Sequence, residues 1–189
     1  MTAWPIHRLA PVVLVGLMGC VEVYAARLRR AEAPNRDRGS LLLVWPLIGL
    51  GYGVAFSLWG YHAPGPRFGA WALWTGAAAA LAGMGLRLWS VITLGQYFTY
   101  VVKVTTDQPV IETGPYRLLR HPSYAGGLLT GLGIGLSMRF ALAPLIIGLT
   151  QLIGYGVRMG VEERALAETI GEPYRAYMRR TKRLIPFVW

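Results

Sequence analysis

With 189 residues, 54% of them hydrophobic and 15% charged, the chain is too apolar for an ordinary soluble domain and has the length of one compact unit. The single cysteine excludes a disulfide framework and a multi-cysteine metal site, and the net charge of +10 has to be judged by where the charges fall. The expectation is an all-α integral membrane protein, one domain over residues 1–189 with three N-terminal spans over 1–94 and a functional core over 95–189.

Apolar blocks at 9–26, 41–62, 68–94, 122–138 and 142–159 each approach the ~20 residues that cross a bilayer, and predict about five transmembrane helices. The first follows a single arginine and runs directly into "RLRRAEAPNRDR", so it reads as a span and not as a cleaved signal. The last two are short and joined at Arg139, which makes them a C-terminal helical hairpin. Arginines 27, 29, 30, 36 and 38 follow the first span, Lys103, Arg117 and Arg120 the third, and Arg164, Arg175, Arg179, Arg180, Lys182 and Arg183 the fifth; the opposite loops hold Arg8, Arg67 and Arg139. This alternation places the N-terminus outside and the C-terminus in the cytoplasm. Basic charge here means topology and contact with anionic headgroups of the lipid bilayer, and no nucleic-acid partner is expected. The Arg-rich, Lys-poor composition suits a GC-rich bacterial genome and hence a bacterial cytoplasmic membrane, or the endoplasmic reticulum in a eukaryote.

Within the spans, Glu22 and Arg87 each lie roughly two turns from the cytoplasmic end, at ~1.5 Å of rise per residue, and are expected to pair. On the fourth span Gly127, Gly131 and Gly135 recur every four residues, spacing that lets a neighbouring helix approach closely. "GLGIG" in that span is no dinucleotide loop, since it lacks the further glycine and the preceding strand. The connection 95–121, "GQYFTYVVKVTTDQPVIETGPYRLLRH", is too long for a plain linker and alternates β-branched with polar residues in strand-like fashion. After the fifth span, Arg158, Glu162, Glu163 and Leu166 continue at helical spacing, predicting an amphipathic extension that Gly171 stops. The closing "RLIPFVW" suits the membrane interface.

Two clusters carry potential chemistry. Pro122 suits the first turn of a helix, so His121 falls at the cap, where free N–H groups and the dipole favour an anion, with Arg120 adding to the field. The alternative is that Arg117, Arg120 and His121 anchor the helix to headgroups. Arg158, Glu162 and Glu163 stand beside that cap because the hairpin brings the fifth span back along the fourth; they are either a functional group at membrane depth or a plain Arg158–Glu162 helical ion pair. No metal is expected, because His7, His62 and His121 fall on different sides of the membrane, and no nucleophile motif of the GxSxG type occurs.

"GPYRLLRHPSYAG", followed after a hairpin by "EERAL", "GEPYRAY" and "RLIPF", resembles the isoprenylcysteine carboxyl methyltransferase family of integral membrane enzymes, relatives of the phospholipid N-methyltransferases. The resemblance covers residues 94–187, about half of the chain. It implies S-adenosylmethionine as cofactor, leaving as S-adenosylhomocysteine, in a cytoplasmic pocket built from the 95–121 loop and the tail, with a lipophilic methyl acceptor entering from the membrane. Carried over by position, the cofactor would meet Lys103, Gln108, Pro109, Val110, Ile111, Tyr116, His121, Pro122, Ser123, Tyr124 and Glu162. Arg158 matches the family's arginine at the substrate carboxylate, and Arg120 and Glu163 are adjacent candidates for shaping the pocket. Lys103 stands where eukaryotic members carry an amide.

These residue types suit the implied ligand. An imidazole and helix N–H groups can meet its carboxylate, a glutamate its ammonium or ribose, and Tyr116 and Tyr124 its sulfonium or adenine. A carboxylate acceptor is already ionised and needs orientation by Arg158; an amine or phenol needs a base, Glu163 or His121. The resemblance implies carboxyl O-methylation of an isoprenylated cysteine, with a phospholipid amine, lipid phenol or small thiol as the other acceptors. A sterol-type reductase using NADPH and a non-catalytic scaffold are the alternatives from other classes.

Overall fold

The computed structural model describes residues 6–27, 39–100 and 108–185; Lys103, the arginines at 29–38 and the tail from residue 186 lie outside them. The described residues form α1 (Ile6–Arg27), α2 (Ser40–Gly60), α3 (Trp71–Leu94), α4 (Pro122–Ser137), α5 (Leu142–Thr169) and α6 (Glu172–Arg180), with 3₁₀ turns at Gly95–Tyr97 and Gly114–Arg117. No strand occurs among the described residues, so the strand-like reading of Gln108–Ile111 is corrected. A β-branched, alternating segment needs a partner ladder to become a strand, and this one instead lines a cavity.

Four helices among the described residues, over Arg8–Arg27, Leu41–Gly60, Trp71–Tyr97 and Leu142–Thr169, are long and apolar enough to cross a membrane. Leu42, Trp74 and Leu149 turn large apolar side chains outward, the surface expected of helices bathed in lipid. The fourth expected span is shorter than the others: α4 has 16 residues and rises about 24 Å at ~1.5 Å per residue, against a ~30 Å hydrocarbon core. It packs between α3 and α5 with α1 along one side, so protein and not lipid covers most of it.

Small residues make that central position possible. Toward α5, Gly127, Gly131 and Gly135 face Tyr155, Gln151 and Pro144, and a Cβ on Gly135 would lie 2.6 Å from the Pro144 Cα. Toward α3, Gly126 and Gly133 interlock with Gly76 and Gly83, where a Cβ on Gly83 would stand 2.5 Å from the Thr130 nitrogen. The first edge is the spacing read from sequence; the second faces a helix whose register sequence spacing does not reveal. Both turn van der Waals contact between backbones into the main cohesion of the bundle.

At the end of the hairpin away from His121, Arg139 turns the chain with φ +58°, and its carbonyl accepts the Phe68 N–H at 2.9 Å. Arg8 Nη2 lies 3.2 Å from His62 Nε2 at the same end, drawing α1 and α2 together. At the other end α5 runs on to Thr169 as one helix, and Gly171 with φ +77° makes the break that its sequence position predicts. Pro173 in the first turn, Glu172 at the start and Arg179 and Arg180 at the end complete α6, in the polarity the helix dipole favours.

Replacing Gly83 by valine is expected to lower the thermal midpoint in detergent, at a cost of roughly 1–3 kcal/mol from overpacking against α4. Gly85→Ala, where a Cβ meets nothing within 4 Å, serves as the matched substitution and should leave it unchanged.

Candidate active site

The loop before α4 and the segment after α6 pair along their backbones. The Arg120 N–H donates to the Lys182 carbonyl at 2.7 Å, the His121 N–H to the Arg183 carbonyl at 3.1 Å and the Lys182 N–H to the Leu118 carbonyl at 3.3 Å. Arg120 also donates through Nη1 to the Met178 and Thr181 carbonyls at 2.8 and 2.5 Å, and the Tyr177 hydroxyl lies 2.8 Å from the Tyr116 carbonyl. The tail is therefore sewn onto the loop that precedes the α4 N-terminus, which no side chain caps.

Adjacent glutamates on α5 then face different surroundings, as a turn of ~100° per residue requires. Glu163, 4% exposed, takes Arg120 Nε at 2.8 Å, His121 Nε2 at 3.3 Å and Arg183 Nη2 at 2.6 Å. Glu162 accepts the Tyr124 hydroxyl at 2.5 Å and Arg158 Nε at 3.2 Å, and lies 3.5 Å from His121 Nδ1. His121 thus bridges both carboxylates. Burial disfavours its charged form, but the bonds and charges of Glu162 and Glu163 outweigh burial, and its pKa stands above the ordinary value. An imidazolium, with a proton on each nitrogen, is the form that satisfies two carboxylates at once.

Arg158, 2% exposed, donates to Glu162, to the Tyr124 oxygen at 3.3 Å and to the Tyr100 carbonyl. A second ionic group lies nearby: Arg87 donates to Glu22 through Nε at 2.5 Å and Nη2 at 2.8 Å, the pair expected from sequence. Its third nitrogen, Nη1, reaches Ser123 Oγ at 2.9 Å, and the Tyr100 hydroxyl donates to Glu22 Oε2 at 2.6 Å. Burial first, and the Glu22 carboxylate after it, push the Tyr100 phenol above its ordinary range, so it remains a donor.

Between these two groups lies a cavity of about 200 Å³. It runs from Tyr174 and Ile170 past Glu162 and Tyr124 to Gln151 and Tyr52 inside the bundle. From α1 and α2 come Met18, Val44 and Ile48, and the Tyr52 hydroxyl closes onto Met18 Sδ at 3.6 Å. Of the residues singled out from sequence, Gln108, Pro109, Val110, Ile111, Tyr116, Arg120, His121, Ser123, Tyr124, Arg158 and Glu162 all line this cavity. Pro122 and Glu163 stand behind its wall, Pro122 buried at the start of α4 and Glu163 turned toward the loop and tail. Lys103 lies outside the described residues. Sequence reading did not place Tyr52, Gln151 and Tyr155 in the site; a lone amide and tyrosines within apolar spans are the signal that points there.

The chain resembles proteins already known. The family model described as phospholipid methyltransferase matches residues 71–172, more than half of the chain, and the chain belongs to that family. Among curated relatives, protein-S-isoprenylcysteine O-methyltransferase B of Arabidopsis thaliana is 27% identical over 127 residues, covering 66% of this chain and 64% of its own. The protein-S-isoprenylcysteine O-methyltransferase of Mus musculus is 28% identical over 120 residues, covering 62% and 42%. The chain therefore spans less than two thirds of the length of these relatives. The solved structure of the eukaryotic intramembrane Ras methyltransferase, isoprenylcysteine carboxyl methyltransferase, superposes with a TM-score of 0.65 over 76% of this chain and 52% of that one, at 24% identity. That likeness is one of fold, and with the apolar helices it identifies an integral membrane protein.

The geometry yields two expectations. Glu163→Ala strips the shared anion from Arg120, His121 and Arg183 and should cost about 3–5 kcal/mol, as breaking a buried ion pair does, read as a lower thermal midpoint. Because the folded pKa of His121 is raised, its contribution is complete below the unfolded value near ~6.5 and is lost as pH rises through the folded value. The thermal midpoint should therefore fall as pH rises above about 6.5 through this group, with a flatter profile in His121→Gln.

Proposed function

We propose that this protein is an integral membrane methyltransferase that uses S-adenosylmethionine and acts on a lipophilic acceptor, with carboxyl O-methylation of an isoprenylated cysteine as the leading reaction. The observation that carries this reading is a cavity whose lining combines charged and aromatic residues, Glu162, Arg158, Tyr116 and Tyr124, with apolar residues of α1 and α2, Met18, Val44 and Ile48. Family membership and the names of the curated relatives support it. In the orientation that the arginine distribution favours, the His121 end of the bundle faces the cytoplasm.

The donor set fits the cofactor. Glu162 offers a carboxylate for an ammonium or ribose, Tyr116 and Tyr124 offer aromatic rings for a sulfonium or adenine, and the positive dipole end of α4 favours a carboxylate. Bound there, S-adenosylmethionine supplies a methyl group on a positively charged sulfur, open to a nucleophile. The chain's own part is to hold the partners in line and exclude water, which is where such displacements gain rate. Arg158 orients an acceptor carboxylate, and no base is required of the protein for that reaction. Glu163, behind the wall with its oxygens facing three cations, anchors the loop and tail and does not act as a base.

A phospholipid amine is the second reading. It is favoured by an acidic and aromatic lining, with Glu22, Glu162 and several tyrosines around a space that would suit a cationic headgroup.

Calorimetric titration of the detergent-purified protein should detect S-adenosylhomocysteine and not NADPH. Glu162→Ala should weaken that binding by about tenfold or more, the value of one charge-assisted hydrogen bond. Binding of NADPH alone, or of neither ligand by folded protein, would replace the methyltransferase with a reductase or a scaffold.

A further inference from the structure

Glu22 is the single acidic residue of α1, a helix that lies outside the 71–172 region matched to the family. Its carboxylate does more than an ion pair joining α1 to α3 requires. Arg87 uses Nε and Nη2 on Glu22, and that two-point grip fixes the guanidinium plane so that Nη1 points at α4, donating to Ser123 Oγ at 2.9 Å and to the Ser123 carbonyl at 3.2 Å. The Tyr100 hydroxyl lies 2.6 Å from Glu22 Oε2 and 3.0 Å from the Glu22 carbonyl, while the Tyr100 carbonyl accepts from Arg158. Glu22, Arg87, Tyr100 and Ser123 all line the cavity. One carboxylate thereby holds two of its walls, the first turn of α4 and the chain at the end of the Phe98–Tyr100 segment, and through Tyr100 it bears on Arg158.

We infer that Glu22 is a positioning residue of this cavity, holding Ser123 through Arg87 and Arg158 through Tyr100 in the arrangement that binds cofactor and acceptor. The inference rests on the methyltransferase reading above and extends it to a helix that the family match does not include. A carboxylate that merely pinned α1 would change stability without changing ligand affinity. A positioning carboxylate changes affinity through misplacement of groups that Glu22 itself does not replace.

The test uses the full chain in lipid nanodiscs, with S-adenosylhomocysteine affinity and thermal midpoint measured on the same samples. Glu22→Gln removes the charge; Tyr100→Phe removes one hydroxyl and leaves the Glu22–Arg87 pair in place; Gly133→Ala disturbs the α3–α4 contact away from the cavity. Both site variants should weaken S-adenosylhomocysteine binding by about 10- to 100-fold, as small misplacements in a binding site do. Gly133→Ala should lower the midpoint while keeping wild-type affinity. If Glu22→Gln does not fold, Tyr100→Phe decides alone. Wild-type affinity in the folded site variants, or an equal affinity loss in Gly133→Ala, overturns the inference and leaves the methyltransferase reading standing; absence of binding by the folded wild type removes that reading and this inference with it.

Discussion

Two adjacent carboxylates at the end of a 28-residue apolar helix are the constraint around which the site is organised. Glu162 and Glu163 cannot leave water without cations beside them, and within the helix Arg158, one turn earlier, pairs with Glu162. The rest come from elsewhere: Arg120 and His121 from the loop before α4, Arg183 from the segment after α6. Meeting this electrostatic demand brings together three chain segments, and the backbone pairing of residues 118–121 with 182–183 follows from their convergence. The two glutamates then divide the work, one facing the cavity and one holding the wall behind it.

Helix packing sets where that cavity can lie. Glycines on two edges of α4 let α3 and α5 close on it from either side along its length. α1 and α2 do not pack against each other as those helices do. They meet at Arg8–His62 and again at Met18–Tyr52, and beyond that point their side chains line open space. A pocket flanked by two ionic groups and walled in part by apolar side chains of α1 and α2 is the outcome, and it suits a reaction between a polar cofactor and a greasy acceptor.

Local rules made much of this legible in the sequence. Pro122 marks the start of α4 and Gly171 the end of the α5 extension, because each depends on backbone preferences of the residue itself, and the charge of Arg139 between two apolar blocks marks the turn into α5. The pairing of Glu22 with Arg87 was also readable, from the cost of isolated charge within a span. What sequence did not supply was contact between helices. It gave no sign that a second glycine edge meets α3, that α4 is covered by protein and so can be shorter than a bilayer, or that Arg183 is the counter-ion of Glu163. Val110 and Ile111 carry strand-forming side chains yet line a cavity, since β propensity is realised only where a ladder partner exists.

Methyl transfer in nanodiscs, from labelled S-adenosylmethionine to an S-farnesylcysteine and in parallel to phosphatidylethanolamine, bears most directly on the function assigned to this cavity. The account predicts label in a lipid-soluble, base-labile ester of the farnesylcysteine, with the base-stable amine product as the outcome of the second reading. No label on either acceptor, from protein that is folded and binds S-adenosylhomocysteine, would contradict it.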